Sequence, residues 1–175
     1  MPARAPTQPP MDRLFLALWP DAATRDAIAR WQQGWAWPAG AARVRAERLH
    51  LTLHFLGNVE SARVAALVAG LRVPFRPFIL QFGQGELWLH GVAVLAPTQV
   101  PEALQALHGR LAGALKAQGL PTQEREFRPH VTMARRAAHA APPARGPALT
   151  WQVRDGYVLA RSLPGGQGYG ILARF

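Results

Sequence analysis

The chain has 175 residues, enough for one domain with a real core or for two small lobes. It carries no cysteine, which excludes a disulfide framework, cysteine-ligated zinc, iron–sulfur clusters and thiol nucleophiles. Lys+Arg is 20 and Asp+Glu is 10, and the resulting +10 favours polyanions such as nucleic acid; Lys116 is the one lysine, so an arginine-rich composition accounts for part of the excess.

Residues 1–10 (MPARAPTQPP) are Pro-rich and lack the continuous apolar segment of a secretory signal, so they read as a disordered leader ahead of a domain at 11–175. No apolar run approaches the roughly 20 residues that span a bilayer, and a cytoplasmic address with no membrane partner is expected. Met11–Trp19 predicts a strand with Leu14, Leu16 and Leu18 on one face. Asp21 then reads as the N-cap of a helix running to about Trp35, broken by Trp35-Ala36-Trp37-Pro38-Ala39-Gly40. Arg43–Arg45 predicts a short strand and Arg48–Leu56 a long one. A turn at Asn58–Ser61 leads into a helix over Ala62–Leu71. Phe78–Phe82 and Glu86–Leu95 predict two strands joined by a Gly-rich turn. Pro101 opens a helix that runs to about Gln118 and closes at Gly119. Phe127–Ala134 contains a further strand, Ala137–Pro147 is a loop, and Trp151–Arg161 and Tyr169–Phe175 are final strands around a turn at Pro164–Gly168. Several strand pairs are joined too briefly for parallel crossovers, so the expected class is α+β with mainly antiparallel sheets. The order strand, helix, motif strand occurs once in each half, which points to two similar lobes.

The motif strands carry the chemistry. In Leu49-His50-Leu51-Thr52-Leu53-His54-Phe55, alternation puts the apolar residues on one face and His50, Thr52 and His54 on the other. Pro129-His130-Val131-Thr132-Met133 repeats the pattern, with His130 and Thr132 sharing a face. With 6 histidines and 7 threonines in 175 residues, chance gives about 6 × 7/175 ≈ 0.24 His-x-Thr matches, and two are present. Imidazole can give or take a proton near neutral pH, so two histidines on opposite sides of a phosphorus can serve as acid and base in line, with the threonine hydroxyls holding the non-bridging oxygens and no metal required.

LHLTLHFLG together with FRPHVTMARR resembles the 2H phosphoesterase superfamily, in particular the RNA 2′,3′-cyclic phosphodiesterases (2′-5′ RNA ligase-like proteins), over Leu14–Phe175. The resemblance implies a bilobal α+β fold with pseudo-twofold symmetry around a central groove, two mainly antiparallel sheets and flanking helices. It implies that His50 protonates the leaving 3′-oxygen, that His130 activates water to leave a 2′-phosphate, and that Thr52 and Thr132 hold the phosphate. It implies no cofactor, a monomer, and weak 2′-5′ ligation as the reverse reaction. Nothing in the residues themselves distinguishes the two histidines. The position of His54 is commonly Lys or Arg in that family; here a third imidazole takes it, either as a substrate-binding group or as a solvated or supporting one. Arg135 matches an arginine that follows the second motif, but its strand parity differs from His130, so binding phosphate requires a bulge.

Other readings share or replace this site: a 2′-5′ phosphodiesterase, a small cyclic-nucleotide hydrolase, or a non-catalytic RNA-binding protein, against which the intact histidines argue. A metal site on His50 and His54 is disfavoured because a strand holds residues i and i+4 roughly 13 Å apart. His90, His108 and His139 show no pattern. Packing or substrate stacking both fit Tyr169, and Trp31, Trp35 and Trp37 are expected to pack against the core.

Overall fold

The local signals act where the pattern puts them. The computed structural model describes residues 9–123 and 125–175, so most of the expected leader lies outside the described residues. Strand β1 (Met11–Leu18) buries Leu14, Leu16 and Leu18 in the main core and Phe15 and Ala17 in a smaller cluster on its other face. Helix α1 (Ala22–Gln33) is capped by Asp21, whose Oδ1 accepts the Thr24 N–H at 2.7 Å. Strand β2 (Ala42–Arg43), strand β3 (Leu51–Glu60) and helix α2 (Val64–Gly70) follow, then β4 (Phe78–Trp88) and β5 (Val92–Pro97). Helix α3 (Glu102–Ala117) buries Leu104, Leu107, Leu111 and Leu115 at helical spacing and ends before Gly119, whose φ is 68°. Strands β6 (Val131–Arg135), β7 (Thr150–Val153), β8 (Val158–Ser162) and β9 (Tyr169–Arg174) complete the chain. No helix among the described residues is long and apolar enough to cross a membrane.

All pairings are antiparallel, in the order β7-β4-β5-β6-β3-β1-β8-β9, with β2 on β6. The path is continuous, but β3 and β6 meet through one residue pair, Leu51 and Val131. That single-pair seam divides it into the two antiparallel sheets expected. Outward from the seam, β3, β1, β8 and β9 mirror β6, β5, β4 and β7, which is the pseudo-twofold. Each long helix reaches across the seam. On α1, Gln32 Nε2 donates to the carbonyls of Val44 (2.9 Å) and Met133 (2.8 Å), the latter on β6. On the other side, His54 Nε2 of β3 donates to the His108 carbonyl of α3 at 2.9 Å.

Three expected boundaries move, each for a physical reason. β3 continues through Asn58 to Glu60 because Met11–Leu14 of β1 pairs with it there. The Gly83–Gly85 stretch is not a turn but an irregularity inside β4, between Phe82 and Gly85. A Cβ at Gly85 would overlap the Trp31 and Trp35 rings and Pro142, so the glycine admits a close approach. The reversal comes instead at Leu89–Gly91, where His90 and Gly91 take φ of 63° and 70°. Trp151–Arg161 is two strands, not one. Gly156 (φ 78°) breaks it, so β7 joins β4 in one lobe and β8 joins β1 in the other. Just past the break, buried Tyr157 donates to the Leu71 carbonyl at 2.8 Å and accepts the Val73 N–H at 2.9 Å, pinning the crossover.

Candidate active site

The seam pair, Leu51 and Val131, is the middle residue of each His-x-Thr motif. Antiparallel pairing about it runs Thr52 towards His130 and His50 towards Thr132, so the two motifs face each other by construction. The imidazoles are held alike. His50 Nδ1–H donates to the Arg48 carbonyl at 2.6 Å and His130 Nδ1–H to the Arg128 carbonyl at 2.7 Å. A carbonyl can only accept, so both rings carry a proton on Nδ1 and present Nε2 for chemistry. On neutral His50, Nε2 accepts the Thr52 hydroxyl at 3.1 Å. Thr52 and Thr132 are both half-buried.

The surroundings of the two rings differ. His50 stacks on Trp19 (centroids 5.2 Å apart, planes 5°) and meets Phe15 and the edge-on ring of Tyr169, each at 5.1 Å. His130 leans on Trp88 at 4.4 Å. Desolvation by burial holds His50 below the ordinary imidazole value; its carbonyl partner opposes this, and the charges of His130 and Arg135 add to it. For His130 desolvation again comes first, opposed by the Arg128 carbonyl and reinforced by the Arg135, Arg125 and Arg128 charges.

Register decides the last two candidates. On β3 the partner of Leu16 is His54 and that of Ala17 is Thr52, so Leu53 is an extra residue. On β6 the partner of Val94 is Thr132 and that of Ala93 is Ala134, so Met133 is extra at the equivalent place. A bulge reverses the alternation that follows it. It carries Phe55 to the face of Phe15, with centroids 6.0 Å apart, and turns His54 to the core. His54 is therefore not on the groove face as strand alternation predicts: it is 5% exposed and stacks on His108 at 4.0 Å. The matching bulge on β6 supplies the parity change that Arg135 requires, and Arg135 is exposed with its charge acting on both catalytic candidates. The structure thus brings His50, Thr52, His130, Thr132 and Arg135 together and leaves His54 out.

His108 stacks between His54 and Phe127 (3.9 Å). Desolvation, then the His54 charge, lower it to about 4, against the Leu53 carbonyl, which raises it. A histidine depressed in the native state binds its proton more weakly than in the unfolded chain, so stability is full above about 6.5 and falls as pH drops towards 4. His54, His50 and His130 are shifted the same way. The guanidinium unfolding midpoint is expected to fall across that window, and to fall less in His108→Phe, which keeps a ring in the stack; an unchanged pH slope in that variant refutes the assignment.

Sequence reasoning passed over Trp19, Trp88, Phe15, Glu86 and Arg128. A signal for the arginine was present: the repeat begins two residues earlier than the histidines, as Arg48-Leu49-His50-Leu51-Thr52 and Arg128-Pro129-His130-Val131-Thr132. Trp31, Trp35 and Trp37 pack against the core as expected, and also on one another.

Comparison with known proteins agrees with this architecture. The chain is 34% identical over 144 residues to an RNA 2′,3′-cyclic phosphodiesterase of Escherichia coli (strain K12), covering 79% of this chain and 80% of the relative. It is 32% identical to an RNA 2′,3′-cyclic phosphodiesterase of Thermus thermophilus, covering 93% and 89%. The crystal structure of E. coli LigT complexed with 3′-AMP superposes with a TM-score of 0.84 at 30% identity, over 95% of this chain and 98% of that one. Residues 19–161 match the model of the 2′-5′ RNA ligase superfamily, and the chain belongs to that family.

Proposed function

We propose that the protein hydrolyses RNA ends bearing a 2′,3′-cyclic phosphate to a 2′-phosphate, by acid–base catalysis between His50 and His130 with no metal in the reaction. The observation that carries this reading is the seam: two His-x-Thr motifs paired at Leu51 and Val131, each imidazole fixed on Nδ1 by the carbonyl two residues back. The similarity to two RNA 2′,3′-cyclic phosphodiesterases supplies the substrate class.

The environments favour one division of labour. His130 lies under three arginine charges, which disfavour an imidazolium and keep Nε2 a base. Burial and the His130 and Arg135 charges hold His50 low as well, but it has the parallel face of Trp19 against it and the Thr52 oxygen at Nε2, both of which suit the cation that donates. His130 then takes a proton from water as its oxygen bonds to phosphorus. The P–O3′ bond breaks in line, and His50 Nε2–H delivers its proton to O3′. A 3′-hydroxyl and a 2′-phosphate remain. Thr52, Thr132 and Arg135 hold the non-bridging oxygens as charge develops. A ribose 5′-hydroxyl in place of water gives 2′-5′ ligation through the same groups.

The test is an RNA oligomer with a 2′,3′-cyclic phosphate end, incubated with EDTA, and the product phosphate located by its resistance to a 3′-specific phosphatase and its removal by a general one. Metal-independent formation of the 2′-phosphate is expected. A 3′-phosphate product, or abolition by EDTA, overturns the reading.

A further inference from the structure

Beside His130, and among the described residues with no counterpart beside His50, four contacts form a closed cage. The Trp88 N–H donates to Glu86 Oε2 at 2.7 Å, and Arg128 Nη2 lies 3.7 Å from the same oxygen. The Arg128 guanidinium sits over the Trp88 ring, 4.3 Å from its centroid, and Trp88 meets His130 at 4.4 Å. Arg128 also gives His130 its carbonyl partner at 2.7 Å. Glu86 and Trp88 lie at the end of β4, and Arg128 just ahead of β6, so the cage ties the hairpin to the second motif.

We propose that Glu86 is a positioning residue for His130: one carboxylate oxygen fixes both the indole that shields the imidazole and the arginine whose backbone holds its Nδ1. The role is not a matter of stability, because an exposed ion pair at this separation contributes little to folding. It is geometric. With Trp88 held, the indole stays packed against the His130 ring, whose Nδ1 is tied to Arg128, and errors of about 1 Å in such placement cost up to about 10²-fold in rate. The inference rests on the two-histidine reading of the site.

Glu86→Ala removes both contacts, whereas Glu86→Gln keeps an acceptor for the Trp88 N–H and loses only the charge. Removing the carboxylate frees Trp88 and Arg128. The charged groups facing His130 are Arg135, Arg125 and Arg128, with His50 across the seam, and desolvation is the larger influence. The lost shielding and the departing Arg128 charge move His130 upwards, a slackened Arg128 carbonyl bond moves it down, and desolvation, the largest of these, sets the net direction upwards.

The experiment follows the imidazole resonances of His50 and His130 by NMR against pH, together with the pH profile of kcat/KM. In Glu86→Ala the His130 midpoint and the acidic limb are expected to rise while His50 stays in place, because the lost contacts surround His130 alone. The rate should fall about tenfold, mostly in kcat, with Glu86→Gln between it and the wild type. Adding Trp88→Phe to Glu86→Ala should cost less than the sum of the single changes. An unmoved His130 midpoint in Glu86→Ala, or an equal shift of His50, overturns the proposal. His130→Ala separates the two readings. If it retains activity the two-histidine reading fails; if it is inactive while Glu86→Ala behaves as wild type in profile and titration, only the positioning role fails.

Discussion

His50→Ala and His130→Ala are each expected to lower cyclic-phosphate hydrolysis by about 10²–10⁴-fold, the usual worth of one positioned proton-transfer group. The double variant should lose little more than the worse single one, because acid and base act in the same transition state and removal of either strands the other. Both substitutions should leave the fold intact. Each ring is half-buried, and its one backbone contact is to a carbonyl two residues away, so the sheet pairing at Leu51 and Val131 does not depend on it. Circular dichroism and a melting curve check that. The variants should also differ in pH dependence. Loss of His130 removes the group whose protonation sets the acidic limb, whereas loss of His50 removes the donor and with it the alkaline limb. Both native rings lie below the ordinary imidazole value, so both limbs are displaced towards acid relative to free imidazole. Single-turnover rates with the cyclic-phosphate oligomer settle the matter, and either variant retaining near-native rate removes the two-histidine mechanism.

What the sequence made legible was whatever a short window decides. The Asp21 cap, the Pro101 opening and Gly119 end of α3, the leucine alternation of β1 and the two His-x-Thr motifs each depend on a few neighbouring residues. The failures were all non-local. Glycine at 85 reads as a turn until Trp31, Trp35 and Pro142 are seen to occupy the space its side chain would need. Trp151–Arg161 reads as one strand because nothing local says that its halves pair with different lobes. The bulges at Leu53 and Met133 are set by which residues of β1 and β5 lie opposite, and a bulge is invisible to a period-2 count. Since those bulges decide which side chains enter the groove, the pair His50 and His130, lying before them, was placed from sequence, while His54, lying after one, was placed on the wrong face.

That difference in register makes the second strong prediction. Arg135→Ala is expected to lower kcat/KM by about 10²-fold, the order lost when one preorganised donor to a developing oxyanion is removed. Arg135→Lys should recover part of it, because a lysine restores the charge but not the two-pronged geometry. His54→Leu should do the reverse. It keeps near-native kcat/KM in the folded protein and costs about 1–2 kcal/mol of stability, since the buried contact from Nε2 to the His108 carbonyl is lost. By alternation alone His54 stands in line with His50 and Thr52, and Arg135 on the opposite face from His130. The two models therefore predict opposite outcomes for the same pair of substitutions. Initial rates alongside guanidinium unfolding read both axes at once. A catalytic defect in well-folded His54→Leu, with Arg135→Ala fully active, would mean that the strands run through the site without their bulges. The opposite result would mean that two extra residues, Leu53 and Met133, select the groove's cation and assign the neighbouring imidazole to the core.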